Sequence, residues 1–283
     1  MSIACQTITW GGVVGNALGI VSIKDAWIIT HGSDELALRD IAAIGYDGFE
    51  IFDGNLQRYV ENPAPLQGWM RETGLALVGV YTSANFIYED CLDDEFWRIT
   101  RAADSAKQFD APFLIVGGGA IRAEGRRDSD FESLARGLDR VSALASQRGL
   151  TAVYHPHLGT LVESPEHLER LLKLSDTQLC PDLAHVVAGG GDVVEMIREY
   201  RDRIPYVHFK DYADGRFLPL GEGSIDLVAV VETLGGTDLG SWWTTELDEA
   251  EGKSPAAAAA RSLQVLRGMV QSNQKTPAGA GSR

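Results

Sequence analysis

Histidine is scarce in this chain, with six in 283 residues, and two of the six fall one residue apart in AVYHPHLGT (152–160). His208 stands in VHFKD (207–211), and His185 comes three residues after Asp182 in CPDLAH (180–185). Carboxylates recur in comparable places, with Glu50 and Asp53 in FEIFD (49–53) and Glu246 and Asp248 in TTELD (244–248). Imidazole and carboxylate donors together can hold one divalent ion. A His, Asp, His, Glu set drawn from His155, Asp182, His208 and Glu246 suits Mn²⁺, Co²⁺, Fe²⁺ or Zn²⁺ rather than Ca²⁺, which takes oxygen ligands. Mn²⁺ and Co²⁺ are the first choices, and Mg²⁺ is a further option. Taken one at a time, each residue has a plainer reading: a strand-end His is often hydrogen-bonded core, and Asp182 could cap the helix that follows it.

These residues need a frame that brings them to one place. Each ends a short β-rich run followed by an amphipathic stretch. The runs are 2–8, 47–53, 76–82, 112–119, 151–157, 177–185, 205–211 and 241–248. Helical stretches follow or intervene at 34–46, 65–75, 94–110, 130–150, 164–175, 192–204 and 254–270, with Ser164 and Pro165 opening one and Gly45 and Gly74 closing two others. Strand–helix alternation implies parallel strands joined by right-handed crossovers. Eight such units predict an α/β fold, a single (β/α)8 TIM barrel over 1–270, with active-site residues at the C-terminal ends of the strands. Residues two apart share a face of a strand, so the spacing pairs His155 with His157, His208 with Lys210 and Glu246 with Asp248. The tail QSNQKTPAGAGSR (271–283) reads as a disordered end.

Composition narrows the partners. A formal net charge of −15 argues against nucleic acid or an anionic membrane surface. No apolar run is long enough to span a bilayer. Three cysteines without a CxxC pair, and no leader-like N-terminus, suit a reducing cytoplasm. The glycine runs at 117–119 and 189–191 lack the Lys-Ser/Thr that follows a phosphate loop, so they read as rim turns. A homo-oligomer or a partner subunit is compatible with everything above.

The stretches GYDGFEIF (45–52), YHPHLGTLVESPEHLERLL (154–172), CPDLAHV (180–186), VHFKDY (207–212), PLGEGSID (219–226) and TTELDE (244–249) resemble the xylose isomerase-like barrel superfamily, nearest its inosose dehydratase-like branch. The resemblance covers roughly residues 2 to 270. It implies a divalent ion held by Glu, Asp, His and Glu at four strand ends. Carried over, the last three are Asp182, His208 and Glu246, whereas position 155 holds His where the family has Glu. It also implies that His185 and Lys210 lie on the substrate side. In the ketose epimerases of the family the two ligand glutamates form the acid–base pair, and only Glu246 of that pair is present here.

The expected chemistry is metal-assisted proton abstraction next to the carbonyl of a polyhydroxylated keto-cyclitol or keto-sugar, through an enediolate. Loss of a β-hydroxyl gives dehydration of the inosose type; reprotonation on carbon gives epimerisation or isomerisation. Elimination from a keto-glycoside is a third outcome. Glu246, His157 and His185 are candidate bases, and His157 and Lys210 are candidates for substrate binding. Lys210 is also a candidate base should its pKa be depressed, and Glu50 is a candidate acid for the departing hydroxyl. The non-enzymatic alternative is a sugar-binding barrel, or a subunit active only with a partner.

Overall fold

The computed structural model describes residues 1–11, 27–235, 242–248, 250 and 252–275. Its strands are β1 (Ser2–Gln6), β2 (Gly48–Phe52), β3 (Ala76–Ala84), β4 (Phe113–Gly118), β5 (Thr151–Tyr154), β6 (Gln178–Leu179), β7 (Val207–Phe209), β8 (Asp211–Ala213), β9 (Arg216–Leu218) and β10 (Trp242–Thr245). Its helices are α1 (Asp34–Ile44), α2 (Asp53–Gln57), α3 (Ala64–Thr73), α4 (Leu92–Gln108), α5 (Asp128–Ser146), α6 (Pro165–Leu172), α7 (Leu183–Ala188), α8 (Val193–Tyr200), α9 (Leu227–Leu234) and α10 (Pro255–Lys275).

Eight strands form one parallel sheet in the order β6-β5-β4-β3-β2-β1-β10-β7. The two ends of that order meet through a single parallel bridge, Asp182 to His208, supported by His208 N–H donating to Pro181 O at 3.0 Å. The TIM barrel therefore closes at a seam made by two of the predicted ligands. Strands β8 and β9 form an antiparallel hairpin outside the barrel sheet, which the sequence reading did not contain.

Local sequence sets the elements. Ser33 caps α1 by accepting from Leu36 N–H, and Gly45 ends it at φ 104°, a conformation that favours glycine. Ser164 caps α6, with Pro165 at its first position. The outward faces of the strands, with Phe49, Ile51, Leu77 and Leu114, pack against the helices in one large core. A second cluster fills the lumen, with Val78, Phe113, Ile115, Val153 and Tyr206. The adjacent tryptophans obey strand alternation: Trp242 packs on the lumen cluster and Trp243 on Phe209 of the outer core.

Two boundaries differ from the sequence reading. Strand β5 ends at Tyr154, not at 157, because Pro156 has no N–H to extend the ladder. Helix α10 runs to Lys275, five residues into the segment read as a tail; 276–283 lie outside the described residues.

Candidate metal centre and pocket

His155, Asp182, His208 and Glu246 are all buried, and one ligand atom from each lies within 4.8 Å of the others. Each is positioned by a local device. Asp182 is the N-cap of α7: its Oδ1 accepts from His185 N–H at 3.0 Å, which leaves Oδ2 for the cluster. The cap reading and the ligand reading thus use different oxygens of one carboxylate. His208 donates from Nε2 to Glu50 Oε2 at 2.9 Å, and the same oxygen accepts from the Tyr206 hydroxyl at 2.8 Å. With the proton on Nε2, the lone pair of Nδ1 faces the cluster. His155 Nδ1 lies 3.2 Å from Cys180 O, and a carbonyl only accepts, so His155 carries its proton there and presents a bare Nε2.

The donor atoms pass a direct test of fit to a cation. Asp182 Oδ2, His208 Nδ1 and Glu246 Oε2 are buried without an aligned hydrogen-bond partner; their contacts are ion pairs only, His208 Nδ1 with Glu246 Oε2 at 2.9 Å and Lys210 Nζ at 3.2 Å from Asp182 Oδ2 and 3.5 Å from Glu246 Oε2. A buried polar atom left unpaired costs about 1–3 kcal/mol. Natural proteins seldom gather three in one place without a ligand to satisfy them. Two imidazoles and two carboxylates match a borderline divalent ion.

The charges agree with that chemistry. Burial and the neighbouring cations hold His155 neutral, its pKa pushed well below the ordinary histidine value. His185 is lowered in the same way, by burial first and then by Lys210. Glu246 is pushed up by burial, but Lys210 and His208 outweigh that and hold it well below the usual carboxylate range. Asp182 is raised by burial, against the pull of Lys210. In the ion-free cluster His208 is raised: burial lowers it, but the facing carboxylates Glu50 and Glu246 outweigh the desolvation.

Above the cluster opens a cavity of about 380 Å³, lined by His155, His157, Glu246, Asp248, Tyr81 and Phe52 among others. That size suits a small polyol or sugar. Tyr81 meets His155 edge-on at 5.5 Å between ring centroids. Its hydroxyl needs the absence of a side chain at Gly117, where an added Cβ would lie 2.0 Å from it. The glycine run at 117–119 therefore makes room and turns the rim, with Gly119 N–H already donating to Ala84 O.

Two residues expected to move protons, Glu50 and Lys210, are placed away from the cavity wall. Glu50 does not line the cavity; it lies fully buried behind His208, engaged by His208 and Tyr206, and so has no path to a departing hydroxyl. In the ion-free cluster the Lys210 pKa is not depressed. Burial pulls its pKa down, but Asp182, Asp248 and Glu246, with oxygens at 3.2, 3.1 and 3.5 Å, hold it well above the ordinary lysine value. It is a fixed cation, with Phe217 of the hairpin under its ammonium.

His157 leaves the strand after Pro156 and stands on the cavity wall, stacked on His185 at 3.7 Å between centroids. Its Nδ1 lies 2.7 Å from Leu158 O, so Nε2 is its bare nitrogen. Sequence reasoning missed Tyr81 and Tyr206. Tyr206 stands two residues before His208, just ahead of β7 in the run read as a strand, which is a spacing that could have found it.

A family model described as xylose isomerase-like TIM barrel matches residues 38–269. An inosose dehydratase of Geobacillus kaustophilus is 28% identical over 254 residues, covering 77% of this chain and 81% of that protein. Among solved structures, the IOLI protein with a bound zinc atom superposes with a TM-score of 0.75 at 15% identity, covering 98% of this chain and 100% of that one. The probable 3-DHS dehydratase AsbF of Bacillus anthracis gives a TM-score of 0.73 at 15% identity, covering 94% and 99%. At such identities these two structures share the fold with this chain.

Proposed function

The chain belongs to the xylose isomerase-like TIM-barrel family, and from that premise we propose that it is a metal-dependent lyase that removes water from a keto-cyclitol or keto-sugar. One observation carries the reading: four buried donor atoms within 4.8 Å of one another, three of them without aligned partners, beneath a polyol-sized cavity. The inosose dehydratase activity of its relatives supports it. His155 Nε2, Asp182 Oδ2, His208 Nδ1 and Glu246 would hold the ion, with Mn²⁺ or Co²⁺ as first choice. When bound, a divalent ion supplies Lewis-acid polarisation of a carbonyl and its neighbouring hydroxyl.

The residues of the chain do the rest. His157 takes the proton from the carbon next to the carbonyl on Nε2, because Nδ1 is held by Leu158 O. The electron pair of the broken C–H bond forms a C=C bond while the carbonyl π pair moves onto oxygen. The carbonyl then re-forms, the double bond shifts to the β carbon, and the β C–O bond breaks with its electron pair; the departing hydroxide takes the proton from His157 Nε2 and leaves as water. Because the α carbon of such a substrate carries a hydroxyl, the product is an enol, which becomes a diketone in solution. His185 buttresses the His157 ring from the α7 side. Lys210, buried among its three carboxylates beside Asp182 and Glu246, balances their negative charge behind the cavity. Three unbridged thiols fit a reducing, cytoplasmic setting.

The test is an assay on metal-stripped and reloaded protein with keto-inositols, read by mass spectrometry. Loss of one water, restored by Mn²⁺ or Co²⁺, supports dehydration. Deuterium uptake from solvent without water loss would replace it with epimerisation. Neither water loss nor exchange, on keto-inositols and 3-keto-sugars with metal loaded, sinks the lyase reading.

A further inference from the structure

We propose a second ion site, alternative to the first and lying on the cavity side of it, built from three imidazoles: His155, His157 and His185. One ring nitrogen from each lies within 4.8 Å of the other two. An independent observation points to a ligand. His185 is only 4% exposed, and neither of its ring nitrogens has a hydrogen-bond partner. The rings packed on it, His157 at 3.7 Å and Phe217 at 4.6 Å between centroids, make no hydrogen bond with either nitrogen. A buried imidazole is normally hydrogen-bonded on at least one nitrogen.

The hydrogen bonds sort the donors. His157 Nδ1 is taken by Leu158 O at 2.7 Å and His155 Nδ1 by Cys180 O at 3.2 Å, so each presents Nε2. Three neutral imidazoles without a carboxylate select Zn²⁺, Ni²⁺ or Cu²⁺ over Mn²⁺ or Mg²⁺. Three protein ligands leave further positions open to the cavity.

His155 has one free nitrogen and two candidate ions to serve. The inner and outer sites therefore compete, and at most one of them is filled through His155 at a time. An outer Zn²⁺ also takes His157 Nε2. If the proposed lyase reading holds, excess Zn²⁺ therefore inhibits enzyme loaded with Mn²⁺, by capturing the group that moves the proton.

The experiment is Zn²⁺ binding by competition dialysis on His208→Ala and on the double variant His208→Ala/His157→Ala, with circular dichroism to confirm that both fold. His208→Ala breaks the inner set and leaves all three outer ligands. It keeps a Zn²⁺ site, and adding His157→Ala weakens that site by about tenfold or more, since even partners of metal ligands contribute 10–100-fold. Equal Zn²⁺ affinity in the two variants overturns the outer site. Should His208→Ala fail to fold, Asp182→Asn replaces it in both proteins, because Asn preserves the α7 cap. Mn²⁺ binding of wild type against the single variant reports on the inner site separately, so either site can fail alone.

Discussion

Two buried clusters of charge sit at the same end of the barrel and are built to opposite rules. At the end of β2, Asp53 Oδ1 accepts from Ile28 N–H at 2.9 Å and from Gly54 N–H at 2.7 Å. Its Oδ2 accepts from Thr82 Oγ1 at 2.7 Å and faces Arg98 at 3.5 Å. Asn55 beside it accepts from Thr30 N–H at 2.8 Å and donates to Asp34 at 2.8 Å. No atom of that network is left over. Across the lumen, Asp182, His208 and Glu246 each keep a buried atom with no aligned partner. A saturated network ties segments together; an unsaturated one is shaped for a guest. Carboxylates of the same type at equivalent strand ends thus divide into a structural set and a binding set by their hydrogen-bond balance.

The largest effects follow from breaking each set at its Asp. Asp182→Asn keeps the α7 cap but removes a charged ligand. Turnover is expected to fall about a thousandfold or more, roughly 4 kcal/mol of barrier, with bound metal lost and the thermal midpoint nearly unchanged. Asp53→Ala leaves Arg98 buried without its carboxylate and is expected to cost about 3–5 kcal/mol in urea unfolding, while the folded fraction still binds metal. Melting and metal content measured on both variants would erase the distinction if Asp182→Asn unfolded the protein and Asp53→Ala did not.

The sequence made one half of this comparison legible. Asp182, His208 and Glu246 end short β-rich runs, and barrel geometry sends such ends to one place. His155 could be assigned with them because its run precedes that of Asp182. The partners behind the ligands were hidden by register. Alternation puts Glu50 on the lumen face of β2, where a salt bridge inside the barrel is one reading, but its partner His208 depends on registers around the barrel, and β2 and β3 shift theirs between Phe49 and Glu50. Glu50 also needs the space at Gly79, where an added Cβ would lie 2.5 Å from Ile115 and 3.3 Å from Glu50 Oε2. Lys210 could not be read as a locked cation either, since its carboxylates come from the loop after β6 and the end of β10. His157 escaped the pairing rule when Pro156 ended the strand. Asp53 looked like a site residue by position alone; only its four bonding partners mark it as structural.

Next in size are changes behind the ligands, which bridge the two rules. Glu50→Gln keeps the shape but loses the charge that His208 Nε2–H and Tyr206 engage. Metal affinity is expected to fall about 10–100-fold, with folding retained; isothermal titration with Co²⁺ reads it, and an unchanged affinity would detach Glu50 from the metal centre. Gly79→Ala forces a methyl group against Ile115 and toward Glu50. It is expected to cost about 1–3 kcal/mol of stability by overpacking and also to weaken metal binding. A stability loss with full metal affinity would assign Gly79 to packing alone.

The smallest expected effect tests where the binding set ends. Cys180 lies fully buried between the imidazoles, and His155, Cys180 and His208 could in principle hold an ion themselves. Burial pushes the Cys180 thiol up to about 11, against the pull of His208, so near neutral pH it stays protonated and is a poor ligand. Two carboxylates at hand, one of them held ionised, satisfy a divalent cation without drawing on the thiol. Moreover, a thiolate set would need His208 and His155 to leave Asp182 and Glu246 as unpaired as before. Cys180→Ser, which keeps the volume, is therefore expected to change Co²⁺ affinity by no more than about threefold, under 1 kcal/mol, and Co²⁺-loaded wild type should show no thiolate-to-cobalt charge-transfer band in the near ultraviolet. A strong band, lost in Cys180→Ser, would move the ion to the thiol side of His208 and return Asp182 to the role its cap already gives it, that of a structural residue like Asp53.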